Sequence, residues 1–441
     1  MAEPIIQRHK TAIRRSALSK PVQHLMDSGL LEKGSSFFDY GCGLGDDVSI
    51  LQENGFDATG YDAVYFPDSE IRAADIVNLG YVLNVIEDAK ERKEVLAKAV
   101  DLTAVALSIA VLHESEANRP NGDSCADGIL TNRGTFQRLY TNDELLAEIS
   151  GVADLPTVTV SPGLVLLFKN FTAFSDYSFR RIRRTGAQLR RSAKPAESED
   201  PRIAALVAEH QGDWNQYIEF VNERGRPPER QESAILREGV RRGISEDALF
   251  ALGVQEVGQD RFQHAQQRSR DDLLVFIATA LIGRKLRMSD LPRAVQADVK
   301  YHYGSLRRAT EAAMELLHRC SRPEERMKAA KESTVGVLED DDLWVKVEDV
   351  DALPASLRAY AVLGTLFFGD YRDAALVKFH LWSNKLSFFI TSSKSRDIIV
   401  GYKIDFETRR MKHFVRKCEA MNERVRILTI GVRRKHHSAD Q

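Results

Sequence analysis

Residues 31–172 of the sequence predict a doubly wound α/β domain, and three consecutive features carry that reading. An apolar stub, Phe37-Phe38, runs through Asp39-Tyr40 into Gly41-Cys42-Gly43-Leu44-Gly45. Such a stretch reads as a buried parallel strand ending in a loop whose glycines let a nucleoside ligand lie against bare backbone. The next segment, Asp46 to Gly55, has the length and the closing glycine of a helix. Ala58-Thr59-Gly60-Tyr61-Asp62 then reads as a second short strand ending in an acid. Strand, glycine loop, helix, strand and acid make a Rossmann-like half-site, with Asp62 placed to accept hydrogen bonds from a ribose diol.

The remaining elements follow in order. Residues 1–30 form a basic N-terminal arm, with His9, Lys10, Arg14, Arg15 and Lys20 before Pro21 and a short helical stretch from Val22 to Leu31. Ala73 to Leu79 is a third strand. Glu87 to Thr103 has helical spacing, with Val95, Leu96, Ala99 and Leu102 on one face. Val105 to Leu112 is a continuous apolar run, as a strand buried on both faces requires. Thr141-Asn142-Asp143-Glu144 opens a helix with a cap and acids in its first turn. Gly163 to Phe168 is the last strand, and the alternation of strands and helices argues for a doubly wound sheet.

Six arginines follow between positions 180 and 191: Arg180, Arg181, Arg183, Arg184, Arg190 and Arg191. With Pro195 and an acidic run up to Pro201 they mark a linker over 173–201. Residues 202–335 are patterned as helices almost throughout. Residues 336–441 read as a small α+β region with a basic tail. Within it, Leu376 to Trp382 and Lys385 to Ile390 alternate across Ser383-Asn384, a β-hairpin signal.

Composition sets limits on function. At 441 residues, 43% hydrophobic and 29% charged, the chain is long enough for two or three cored domains. A net charge of −2 gives no global attraction to nucleic acid, so such binding must come from local patches. Four scattered cysteines, with no CxxC pair and no Cys/His cluster, predict no metal and a reduced, cytoplasmic setting. The N-terminus lacks the apolar core of a signal peptide, and the longest apolar run, Leu273 to Ile282, is too short to span a bilayer.

An acid directly before Gly-x-Gly-x-Gly departs from the Gly-x-Gly-x-x-Gly of nicotinamide sites. It resembles motif I of class I S-adenosylmethionine-dependent methyltransferases. Four stretches together resemble one bacterial family, the DNA-phosphorothioation-associated methyltransferases: His9 to Ile13, Phe38 to Gly43, Asn78 to Glu87 and Gly134 to Gln137. Arg270 to Phe276, Leu291-Pro292 with Asp298 to Lys300, and Leu376 to His380 extend the resemblance over most of the chain. It implies a Rossmann-like class I methyltransferase domain, a mainly helical middle region and a small α+β C-terminal region. It also implies S-adenosyl-L-methionine as cofactor, with Asp39, Gly41, Gly43 and Gly45 along its methionine and ribose side and Asp62 on the ribose hydroxyls. Only twelve residues separate Asp62 from Asp75, so the region that often supplies an adenine-contacting acid is shortened, and Ala63, Val64 and Tyr65 stand in its place.

Asn78-Leu79-Gly80-Tyr81 occupies the position where amino-methyltransferases of bases carry Asn/Asp-Pro-Pro-Tyr/Phe. There the amide accepts a hydrogen bond from the target amine and the ring stacks on the base. Asn78 and Tyr81 are the matching candidates, without the two prolines; the alternative is a turn cap and a packed ring. His113, ending the strand from Val105, reads either as a general base or as a solvated strand end. The arginine cluster reads either as phosphate contacts, with Phe174, Tyr177 and Phe179 for stacking, or as a solvated linker. The expected function is therefore methyl transfer to nucleic acid, DNA first, in a bacterial DNA-modification or defence system. Partners would be nucleic acid and other proteins of that system, with no membrane. The alternative is a methyltransferase-like adaptor without turnover. The acceptor atom and the oligomeric state are not legible in the sequence.

Overall fold

The computed structural model describes residues 6–115, 121–183, 200–282, 285–391 and 398–417. By its internal packing the chain divides into two units: Met1–Tyr177 with Pro323–Leu353 and Tyr360–Gln441, and Ser178–Arg322 with Pro354–Ala359.

In the first unit, α1 (Lys20–Asp27) precedes β1 (Ser36–Tyr40), α2 (Asp46–Glu53) and β2 (Asp57–Tyr61). Next come β3 (Ala74–Gly80), α3 (Ala89–Leu102) and β4 (Thr103–Ala110), and then a small sheet of β5 (Gly122–Cys125), β6 (Gly128–Thr131) and β7 (Phe136–Gln137). The segment closes with α4 (Asn142–Ser150), β8 (Thr157–Ser161), β9 (Leu164–Phe168) and α5 (Phe171–Ile182). The main sheet has the order β2-β1-β3-β4-β9-β8. Strands β2, β1, β3 and β4 are parallel, and β9 returns antiparallel to β4. Because β2 lies on one side of β1 and β3 on the other, the winding reverses at β1. A crevice opens there at the strands' carboxyl ends, where open α/β sheets bind ligands.

The period of two along the strands divides the core between the two faces. Phe38, Val77, Leu79, Leu107 and Ile109 pack with Leu96 of α3 and Leu145 of α4. Phe37, Ile76, Ala106 and Leu166 pack on the other side with Val22 and Leu25 of α1, Leu51 of α2 and Tyr177 of α5. The residues expected to begin the basic arm thus lead into a helix that buries Val22 and Leu25 completely. Thr141 and Glu144 form the reciprocal capping box that their spacing predicts. The strand expected from Val105 begins at Thr103. Strands β5 to β8 were not legible in the sequence, being short and partly polar.

The same unit holds α13 (Pro323–Glu332) and an antiparallel sheet, β10 (Val337–Glu339), β11 (Asp342–Lys346), β12 (Leu376–His380), β13 (Lys385–Thr391), β14 (Ile398–Asp405) and β15 (Arg410–Lys417). Its strands pair in chain order, and β12 with β13 is the expected hairpin. The apolar face of this sheet meets α14 (Ala355–Phe368), where Phe368 stacks on Phe388 at 4.5 Å.

The second unit is helical: α6 (Pro201–Glu209), α7 (Gln211–Arg224), α8 (Ala234–Arg241), α9 (Glu246–Val257), α10 (Gln259–Ala280), α11 (Arg293–Tyr303) and α12 (Leu306–Ser321). Trp214, Tyr217, Leu236 and Leu249 form its core. Among the described residues no helix is long and apolar enough to cross a membrane, and no cluster of His, Cys, Asp or Glu is arranged to hold a metal ion.

Candidate functional site

The loop after β1 is wound tightly by its own backbone. Gly41 and Cys42 donate their N–H groups to the Tyr61 carbonyl, at 2.8 and 3.1 Å, and Gly45 donates to Cys42 at 3.0 Å. Gly41 and Gly43 take φ values of +94° and +54°, where side chains are disfavoured. Their surroundings differ. A Cβ on Gly41 would sit 2.4 Å from Val82 Cγ2, whereas one on Gly43 would meet only Ala12 Cβ at 3.4 Å. Gly41 is thus required by packing, and Gly43 by its conformation and by the space it leaves open.

Asp62, at the end of β2, is turned onto this loop. One carboxylate oxygen accepts the Gly43 N–H at 3.1 Å, and the other accepts the Val64 and Tyr65 N–H groups at 2.9 and 3.0 Å. An ionised carboxylate has about four acceptor sites, so roughly one remains for a ligand hydroxyl. Ala63 lines the same cavity beside it.

Parallel register brings Asp39 of β1 opposite Asn78 of β3 at the floor of the crevice. Both are nearly inaccessible, 4% and 2% exposed, and Asn78 Nδ2 donates to Asp39 Oδ1 at 2.9 Å. That bond fixes which end of the amide is which, leaving Asn78 Oδ1 buried without a hydrogen-bond partner. Burial pushes the Asp39 carboxyl up to about 7, against the Asn78 bond that favours its ionised form. Tyr81, just past β3, is held at φ +62° while its N–H donates to the Ala110 carbonyl at 2.7 Å. A non-glycine residue in that region is uncommon and is found where the surrounding structure over-determines it. The loop, Asp62, Asn78 and Tyr81 together line one cavity of about 460 Å³, within the range of small-molecule sites.

The outer wall of the cavity is the N-terminal segment, which the sequence presents only as a basic arm. Arg8 pairs with Glu87 at 2.9 Å and with Glu91 at 2.5 Å. The His9 carbonyl accepts the Tyr65 hydroxyl at 3.0 Å. Arg14 pairs with Asp46 at 2.9 Å, and the backbone N–H groups of Arg15 and Ser19 donate to Asp46 and Asp47, both at 2.7 Å. The two acids opening α2 therefore tie this strap beside the glycine loop. Their place in the first helical turn was visible in the sequence; their partners, some thirty residues upstream, were not.

The other expected site residues lie elsewhere. His113 is 2% exposed and does not line the cavity; its Nδ1 shares a 2.7 Å hydrogen bond with Ser115 Oγ. Burial, aided by the charges of His413 and Lys20, pushes its pKa down to about 4. Arg180 and Arg181 end α5, with Arg180 exposed, and Arg183 pairs with Glu223 at 2.5 Å. Arg184, Arg190 and Arg191 lie outside the described residues. The neighbouring rings are not offered for stacking: Phe174 and Tyr177 pack on Phe168 at 6.0 and 5.4 Å, and Phe179 packs on Phe276 at 5.1 Å.

No protein-family model matches the chain, and no curated protein matches it. Among solved structures, it is similar to a 1,6-didemethyltoxoflavin-N1-methyltransferase from Burkholderia thailandensis with bound S-adenosylhomocysteine. The two are 16% identical, over 34% of this chain and 77% of that one, with a TM-score of 0.26. The CcbJ methyltransferase from Streptomyces caelestis is 12% identical, over 36% and 93%, at a TM-score of 0.27. The glycopeptide N-methyltransferase MtfA in complex with S-adenosylhomocysteine is 12% identical, over 35% and 91%, at 0.25. Likeness at these scores is too shallow to bear on fold or chemistry, which rest on the sheet, loop and cavity themselves.

Proposed function

We propose that the chain is an S-adenosylmethionine-dependent methyltransferase acting on an amino group of nucleic acid, in a bacterial DNA-modification setting of the phosphorothioation-associated kind. The observation that carries this reading is the cavity at the reversal of the sheet. It has bare glycine backbone and Asp62 on one side, and the buried, unpartnered Asn78 Oδ1 on the other. The residues fit the cofactor. Gly41 and Gly43 would admit its methionine and ribose side, Asp62 the ribose, and Ala63, Val64 and Tyr65 the adenine. Gly45, also expected there, does not line the cavity, and a Cβ on it would meet the Phe66 ring at 3.1 Å. Bound there, S-adenosylmethionine supplies a methyl group on a positively charged sulfur.

The chain's own contribution is alignment. Asn78 Oδ1 accepts a hydrogen bond from the acceptor amine, with the amide held in that orientation by Asp39. The Tyr81 ring stacks on the base that carries the amine. The strap from Arg8 to Ser19 screens the cavity from water. Asn78→Ala should slow transfer roughly 100-fold or more through lost acceptor alignment. Because it also removes the bond that favours ionised Asp39, its cofactor affinity is compared above about pH 8, where it should lie within a few-fold of the parent. Tyr81→Gly, which suits the positive φ, should weaken acceptor binding by about 1–3 kcal/mol. A methylation assay on DNA and RNA with labelled cofactor checks both. Transfer at the parent rate in both variants would remove these residues from the acceptor site. A parent that binds cofactor yet methylates neither polymer would favour the adaptor, to which the absence of a strand between β2 and β3 in the sequence lends weight.

Asp39 gives the site a pH signature. Its folded pKa, about 7, lies above the ordinary carboxylate value of 3.8, so the folded protein holds this proton more tightly than the unfolded chain. The stability this contributes is complete below about pH 4 and is lost as pH rises through about 7. A cationic ligand favours the ionised carboxylate, so S-adenosylmethionine should bind more tightly as pH rises from about 6 to 8, releasing a proton at the lower end. Calorimetry in buffers of different ionisation enthalpy reads that proton. Asp39→Asn should abolish both the release and the pH dependence; their persistence would place the titrating group elsewhere.

A further inference from the structure

The two faces of the C-terminal sheet differ sharply. One carries Leu343, Val345, Phe379, Leu386, Phe388 and Ile404, all 1% exposed or less. By cross-strand register the other carries Lys346, Lys378, Lys385, Lys403, Arg410 and Lys412, with Trp344, Leu376, Ser387 and Phe389, each 4% exposed or less, among them on β11–β13. Against these six cations stand Asp342, Asp405 and, on the edge strand β10, Glu339.

Two neighbouring rows on this face behave differently. In the first, Asp342, His380, Lys385 and Asp405 lie side by side, and the charges pair: His380 with Asp342 at 2.9 Å, and Lys385 with Asp405 at 3.6 Å. His380 Nε2 also meets Ser387 Oγ at 3.1 Å; Ser387 is 1% exposed in mid-sheet, so this chain of bonds fixes the imidazole and is closed to substrates. The second row runs Trp344, Lys378, Ser387, Lys403, Lys412. Lys378 is used within the sheet, paired with Asp342 at 2.5 Å and lying 4.7 Å over the Trp344 ring. Lys403 and Lys412 stand directly opposite each other, with Lys412 exposed, and neither has a carboxylate partner among the described residues. Like charges directly opposite on adjacent strands destabilise a sheet. An anion lying across β14 and β15 turns that repulsion into binding.

We propose that this face is a docking surface for the phosphate backbone of single-stranded nucleic acid, with Lys403 and Lys412 as its centre. The major groove of a duplex admits a helix or a two-stranded ribbon, not a sheet face five strands wide, about 19 Å at the usual strand spacing. A single strand can lie along the β14–β15 side of this face, where Lys412 is exposed. The proposal rests on the nucleic-acid reading above and supplies it with a surface besides the arginine cluster.

The test is fluorescence anisotropy of the full chain with a labelled mixed-sequence oligonucleotide, single-stranded and as a duplex, over a salt series. The parent should prefer the single strand. Lys403→Gln/Lys412→Gln should weaken that binding about tenfold or more at moderate salt and flatten the log–log salt slope by about 1.4, since each single-strand phosphate contact contributes about 0.7. The variant should melt no lower than the parent, because it loses a like-charge pair, and should keep the parent's affinity for S-adenosylmethionine. An unchanged slope, a preference for the duplex, or equal displacement by polyglutamate would each overturn the proposal. Loss of cofactor binding by the parent would instead strike the methyltransferase reading and leave this surface standing.

Discussion

Gly43→Val should abolish detectable S-adenosylmethionine binding while the domain stays folded. The glycine loop holds Gly43 at φ +54°, so any side chain there carries a conformational penalty of roughly 1–2 kcal/mol. The protein itself leaves room for it, since the nearest atom to a Cβ at this position is Ala12 Cβ at 3.4 Å. The added branches must therefore occupy the space between loop and strap that the ligand needs. A loss of affinity of at least 100-fold, about 2.7 kcal/mol, is the expected outcome by calorimetry, with a melting temperature lowered by only a few degrees. Gly41→Ala supplies the contrast. Its Cβ would strike Val82 Cγ2 at 2.4 Å, so it should lower stability whether or not ligand is present. If Gly43→Val bound the cofactor as the parent does, the loop would not be its cradle.

Arg226→Met should be the most destabilising single change in the helical unit. Arg226 is 2% exposed and makes paired bonds to Glu232, at 2.8 and 2.9 Å, and a 2.5 Å bond to Asp298. Arg224 completes the cluster, 2.6 Å from the other oxygen of Asp298. Without Arg226 the buried Asp298 and the half-buried Glu232 face a single arginine, and breaking a buried pair by removing one partner costs about 3–5 kcal/mol. Urea unfolding followed by tryptophan fluorescence in a Trp344→Phe/Trp382→Phe background reads this unit, because the remaining Trp214 is fully buried there and stacks on Tyr217 at 5.1 Å. A loss below about 1 kcal/mol would mean that the cluster is open to water and weakly coupled.

The sequence made the strand, glycine loop and helix at 37–53 legible because each depends on neighbours: apolar residues for a parallel strand, glycines for positive φ, acids for a helix start. The same locality explains what it concealed. The strap over the cavity is held by Arg8 with Glu87 and Glu91, and by Arg14 with Asp46, pairs whose members are 32 to 83 residues apart. The arginine cluster reads as unmatched when acids are sought only within its own dozen residues; the acid for Arg183 is Glu223, forty residues on. Strand β15, Arg410–Lys417, shows little apolar alternation, since one of its faces is basic and the other carries a histidine. Asn78 was legible as a position, from its place near the carboxyl end of a strand. Its chemistry was not, because an orphaned carbonyl oxygen exists only once Asp39 has taken the amide's other end.

Calorimetric titration of the full chain with S-adenosylmethionine, and then with its demethylated product, tests the central claim most directly. The cavity at the reversal of the sheet should give saturable binding of one cofactor per chain, with the product competing for the same site and Gly43→Val silent. A folded chain that takes up neither compound would contradict the cofactor assignment, and the methyl transfer built on it would fall with it.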